Sequence, residues 1–127
     1  KKSGPNVLGV EALQGDDGCT GVKVNTADGY ADYLFSATDM QAHHPSKRVS
    51  FCGGLGLIRE KEGQIQLMYL GCGRSLKKGN FVLESDHDVY AAIYMQHGVW
   101  YYSATGPVRV KIGKETKELN EGYNQKL

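Results

Sequence analysis

Apolar and polar positions alternate in short runs along this chain, and the runs are separated by clusters of glycine and small polar residues. In residues 19–25, Val22 and Val24 fall on one face and Lys23 and Asn25 on the other. In residues 64–70, Ile65, Leu67 and Tyr69 share a face. The cleanest case is residues 108–112, where Val108, Val110 and Ile112 oppose Arg109 and Lys111. A period of two is the signature of a pleated strand with one face covered. Further strands are predicted at residues 7–13, 30–37, 48–52, 55–59, 81–84, 89–95 and 99–103. Asp28-Gly29 between alternating runs predicts a hairpin, and Gly63 closes a Glu60-Lys61-Glu62-Gly63 turn. Gly53-Gly54 and Gly71-Cys72-Gly73 read as breaks between strands.

About ten short strands, spaced about 8–12 residues apart, have the rhythm of a sandwich or barrel. No segment sustains a helical period with caps. The expected fold is all-β, an antiparallel two-sheet, jelly-roll-like β-sandwich over residues 1–112, with residues 113–127 as a polar tail or linker. The chain of 127 residues suits one domain of this kind. The opening Lys1-Lys2-Ser3-Gly4-Pro5 and the polar end read as linkers of a module taken from a larger chain.

Composition narrows the function mainly by exclusion. Fifteen basic and fourteen acidic residues give a net charge of +1, without the basic excess a nucleic-acid partner favours. No apolar run approaches the ~20 residues of a membrane-spanning helix. Seventeen glycines against three prolines fit a chain of tight turns. Cys19, Cys52 and Cys72 contain no Cys-x-x-Cys pair, which argues against a zinc knuckle, while one disulfide with a leftover thiol stays open. His43-His44 lies in the long irregular stretch 38–46, where adjacent side chains diverge too much for a shared metal. Asp86-His87-Asp88 is expected as a polar turn joining two strands, with too few carboxylates for calcium. No phosphate loop or nucleophile elbow is present. No catalytic residue, metal or cofactor is therefore assigned.

The aromatic residues are the remaining chemical signal. Tyr90 and Tyr94 lie on one predicted strand and Trp100, Tyr101 and Tyr102 on the next. Paired side by side, such rings can stack on the apolar faces of sugars with hydroxyl groups at the rim. The competing role is filling the core or an interface with a neighbouring domain, where aromatics dominate. Tyr90, Tyr94, Trp100 and Tyr102 are the candidate carbohydrate-contacting residues.

The stretch Gly29-Tyr30-Ala31-Asp32-Tyr33-Leu34-Phe35-Ser36 resembles a strand of the C-terminal β-sandwich region of heparinase-like polysaccharide lyases. Phe51-Cys52-Gly53-Gly54-Leu55-Gly56-Leu57-Ile58-Arg59-Glu60 is similar to the glycine-containing segment that follows there, and Gln66-Leu67-Met68-Tyr69-Leu70-Gly71-Cys72-Gly73-Arg74-Ser75-Leu76 to its sequel. The likeness spans roughly residues 29–84 and concerns strand order and turn placement. It implies a helical domain elsewhere in the parent enzyme that carries much of the active site, with the β region as supporting wall. On this basis the expected function is a non-catalytic accessory module of a secreted or periplasmic carbohydrate-active enzyme. Its expected partners are the catalytic domain of the same chain and polysaccharide, with no nucleic acid and no membrane. The alternatives are a stand-alone carbohydrate-binding module using the aromatic face, and a structural or adhesive surface domain.

Overall fold

The alternation of residues 108–112 becomes a strand with Val108 and Val110 buried and Arg109 exposed, whereas in residues 19–25 and 64–70 Val22, Val24, Leu67 and Tyr69 stay half-buried and Ile65, Met68 and Leu70 enter the core. The computed structural model describes residues 7–13, 18–46 and 48–127, and all its regular elements are β-strands. In chain order they are β1 (Val7–Ala12), β2 (Cys19–Thr26), β3 (Tyr30–Ala37), β4 (Val49–Lys61), β5 (Gln64–Lys78), β6 (Phe81–Gln96), β7 (Val99–Ala104), β8 (Val108–Ile112), β9 (Glu115–Leu119) and β10 (Gly122–Lys126). All ten join in one antiparallel sheet, a meander from β1 to β7 followed by β10. Strand β8 returns to the first part of β6, and β9 pairs with β8.

The all-β antiparallel architecture agrees with the pattern in the sequence, but its two layers come from one sheet that folds over. Residues 48–52 and 55–59, expected as separate strands, form the single strand β4 running through Gly53-Gly54. Residues 64–70 likewise continue through Gly71-Cys72-Gly73 to Lys78 as β5. Asp86-His87-Asp88 is not a turn but lies within β6, which unites the strands expected at 81–84 and 89–95.

The physical reason for the first two mergers is that these glycines permit a bend instead of stopping a strand. The β4–β5 register shifts between Cys52 and Gly53, and the β5–β6 register shifts on both sides of Gly73. Cys72 takes a positive φ of 50° at the same place. Gly53 and Gly73 pair there, and a Cβ on Gly73 would sit 2.6 Å from Leu70 Cδ1 and 2.8 Å from the Cys52 carbonyl oxygen. Bulges with glycine at the close approach bend a sheet sharply without ending it.

The bend divides the sheet. The larger layer holds β1, β2, β3, residues 55–61, residues 64–70, residues 89–96, β7 and β10. The smaller holds residues 49–53, 73–78 and 81–84 with β8 and β9. Phe35 of the larger layer meets Phe51 of the smaller with ring centroids 6.0 Å apart, and Trp100 meets Phe81 at 5.9 Å. Between them Ile58, Met68, Leu70, Leu76, Leu83 and Ile93 are fully buried. Each such side chain contributes roughly 1.5–3 kcal/mol. At one end Lys78 closes the gap between layers, pairing with Glu60 while its Nζ lies 4.1 Å from the centre of the Tyr33 ring.

Residues 113–127, expected as a polar tail, instead carry β9 and β10, both joined to the sheet. Their polarity follows from position. Most β9 and β10 side chains are exposed, and Leu119 and Leu127 are the partly buried residues that reach the core.

The bend makes a direct prediction. Gly73→Ala places a methyl group against backbone and should destabilise the chain by about 2 kcal/mol or more. Gly9→Ala, where a Cβ meets nothing within 4 Å, should stay within about 0.5 kcal/mol of the parent. Urea unfolding monitored by Trp100 fluorescence measures both.

Candidate functional site

An antiparallel sheet with one covered face normally turns polar side chains to water on the other. The smaller layer obeys this. Its outer face carries Lys77, Glu84, Lys111, Arg109, Thr116 and Glu118, set by the register of β5, β6, β8 and β9. Arg109 Nη1 donates to Glu84 Oε2 at 3.1 Å, and Lys77 Nζ lies 3.5 Å from Glu84 Oε1.

The larger layer does not obey it. Its register aligns Val22, Leu34, Leu57, Tyr69 and Ala92 across five adjacent strands on the outer face. The neighbouring row runs Val24, Asp32, Arg59, Leu67, Tyr94 and Tyr101. Leu55 and Tyr90, at 45% and 54% exposure, extend the same apolar face. Tyr69 is laid over Gly71, because a Cβ there would come within 3.0 Å of its ring. Tyr94 stacks on Tyr101 with centroids 5.9 Å apart and an interplanar angle of 16°. The Tyr94 hydroxyl donates to Asn124 Oδ1 of β10, and the Asn124 amide donates to Ser103 Oγ at 2.8 Å.

One end of this face is charged. Arg59 Nε and Nη2 donate to the two carboxylate oxygens of Asp32 at 2.7 and 2.9 Å. That bond holds the guanidinium pKa above its ordinary value. The Arg59 Cζ also lies 5.0 Å from the centre of the Tyr30 ring, with Lys61 Nζ at 5.1 Å. This bidentate, ring-backed cluster was not among the sequence candidates. Its separation of 27 positions leaves no local signal, and only the pairing of β3 with β4 brings Asp32 opposite Arg59.

The four aromatic candidates do not form one row. Strands β6 and β7 pair as expected, but Tyr94 stands opposite Tyr101, while Trp100 faces Met95 and Tyr102 faces Ile93. Tyr90 and Tyr94 therefore point outward. Tyr102 is buried, 7% exposed, with its hydroxyl donating to the Asn120 carbonyl at 3.1 Å. Trp100 is half-buried against Phe81 at the sandwich edge. The outward partner that the sequence reading passed over is Tyr101.

His43, His44 and the three cysteines sit in different surroundings. His43 is buried, exchanges two backbone hydrogen bonds with Phe51, and lies with Nε2 2.8 Å from Asp39 Oδ1. His44 is exposed and its Nδ1 approaches the Val49 carbonyl at 3.3 Å. Asp88 Oδ1 accepts a hydrogen bond from Arg74 Nε at 2.8 Å. Among the described residues, no group of three or more His, Cys, Asp or Glu is placed to hold a metal. No disulfide joins Cys19, Cys52 and Cys72. Cys52 Sγ donates to the Met40 carbonyl at 3.2 Å, and burial pushes its thiol pKa up.

A family model described as the endo-acting ulvan lyase C-terminal domain matches residues 7–95. No curated protein and no solved structure matches the chain. The matched stretch contains β1 to β5 and nearly all of β6, and with them most of the apolar outer face.

The cysteine environments predict an order of reactivity. Iodoacetamide at pH 8 should alkylate exposed Cys72 roughly tenfold or more faster than Cys52, whose thiolate is disfavoured by burial. Peptide mass spectrometry over a time course reads the order, and equal rates would contradict the described burial of Cys52.

Proposed function

Because the chain belongs to the endo-acting ulvan lyase C-terminal domain family, we propose that it is the non-catalytic accessory module of a secreted or periplasmic polysaccharide lyase. In this reading it packs on the catalytic domain of the same parent chain through the outer face of its larger layer. The observation that carries the reading is the contrast between the two outer faces. One is a lattice of charges suited to water. The other presents Val22, Leu34, Leu55, Leu57, Tyr69, Tyr94 and Tyr101 across adjoining strands. A continuous apolar patch of that kind marks an interface, because exposing it to water is costly. The tyrosines suit such a contact, since each combines a large apolar ring with a hydroxyl able to hydrogen-bond at the rim, as Tyr94 does with Asn124.

The charged end of the face fits the same role. Arg59 is already oriented by Asp32 and backed by Tyr30, so its side chain loses little freedom when a partner covers it. The module then acts as a wall that supports the catalytic domain and leaves the elimination chemistry to it. The polysaccharide named for the family, ulvan, is the substrate proposed for the parent enzyme.

Hydroxyl-radical footprinting of Tyr69, Tyr94 and Tyr101 tests the docking face. In the full parent polypeptide their labelling should fall severalfold relative to the present chain alone. Equal labelling in both would refute docking through this face. The non-catalytic assignment predicts no unsaturated product when the chain alone is incubated with ulvan, and measurable turnover would overturn it.

A further inference from the structure

At the free edge of the sandwich, between β7 and β10 on one side and β8 and β9 on the other, lies a solvent-open cleft of about 270 Å³. Its lining includes Trp100, Val110, Ile112, Leu127, Glu115 and Lys117. All six lie beyond residue 95, outside the matched stretch, and away from the docking face. We propose that this cleft is a saccharide-binding site that seats one pyranose ring carrying an anionic substituent, with the ring lying on Trp100. The choice of a sugar rests on the lyase reading above. The geometry of the cleft supplies the rest.

Trp100 is held in place from behind. Phe81 lies against it at 5.9 Å with a 48° tilt, and the Trp100 carbonyl accepts the Leu127 amide at 3.0 Å. A fixed aromatic plane binds a ring without the entropy cost of first ordering itself. Val110, Ile112 and Leu127 make the remaining wall apolar, which matches the C–H face of a pyranose. The charged side chains of the lining come from β9. Glu115 and Lys117 are two positions apart on that strand, so their side chains leave it on the same side. The Glu115 carboxylate can accept hydrogen bonds from sugar hydroxyls. Lys117 enters none of the ion pairs formed among the described residues, which leaves its ammonium for a carboxylate or sulfate on the ring. The volume lies just below the roughly 300–1,000 Å³ of sites for drug-sized ligands, so it suits one ring, with the rest of an oligosaccharide outside.

Trp100 is the chain's single tryptophan, so its emission reports the site directly. The present chain is titrated separately with oligogalacturonate, carrageenan oligosaccharide and neutral cello-oligosaccharide, while amide shifts are followed by NMR. The proposal expects saturable emission changes below about 1 mM for at least one anionic sugar, with shifts confined to β7, β8 and β9. Which of the two anionic sugars binds distinguishes carboxylate from sulfate recognition. Trp100→Ala should weaken binding at least tenfold, and Trp100→Phe, which keeps the contact with Phe81, should retain part of it. Lys117→Ala, a change at an exposed side chain, should bring the anionic sugar down to the affinity of the neutral one. Unchanged emission and unchanged cleft shifts with all three sugars at about 10 mM would overturn the proposal. Shifts centred on Tyr94 and Tyr101 would overturn it as well. Neither result touches the docking face, which is measured without sugar in the parent polypeptide.

Discussion

The architecture depends on one close approach, the pairing of Gly53 with Gly73. A side chain at either position would meet the opposite backbone within 3.0 Å, so only hydrogen fits. With hydrogen there, β4 and β5 bend without breaking, and one sheet supplies both layers of the sandwich. The hydrophobic driving force then acts between two parts of the same sheet, bringing Phe35 onto Phe51 and Trp100 onto Phe81. Everything that distinguishes the two outer faces follows from that fold-over. It decides which half of each long strand belongs to the apolar outer face and which to the charged one.

Much of this was legible in the sequence, and the failures have identifiable causes. The alternation at residues 19–25, 64–70 and 108–112 marked strands, but only at 108–112 did it mark the covered face: Val22, Val24, Leu67 and Tyr69 lie on the outer face, and a register shift at Arg59–Glu60 sends Ile65 inward apart from Leu67. Gly53-Gly54 and Gly71-Cys72-Gly73 read as strand ends because a glycine pair signals a turn and a bulge alike. Only the partner strand distinguishes them, and that partner is a non-local feature. Residues 113–127 read as a tail because β9 and β10 have few inward-facing residues to betray them. The apolar outer face was present as Leu55, Leu57, Leu67 and Tyr69, but no single strand shows that Leu57 and Tyr69 sit side by side.

The aromatic site shows how register decides chemistry. His97 and Gly98 form the two-residue turn between β6 and β7, with φ of 52° and 80°, which sets Gln96 opposite Val99. Positive φ at both residues is the hairpin geometry that matches strand twist. From that register each even position of β6 pairs with an odd position of β7. Tyr94 therefore joins Tyr101 outside, while Trp100 and Tyr102 turn inward. A slip of one residue would have put all four candidates on one face. The actual register divides the rings between the apolar outer face (Tyr90, Tyr94, Tyr101), the core (Tyr102) and the edge cleft (Trp100).

The central claim is that the larger layer's outer face is completed by the rest of a lyase. Thermal unfolding measures this most directly, comparing the present chain alone with the same residues inside the parent polypeptide. Docking stabilises the folded state by mass action, and a tethered partner maximises that effect. The account predicts that the module unfolds several degrees higher in the parent polypeptide, and that Leu57→Glu removes most of the difference. An identical transition temperature in both settings would contradict it.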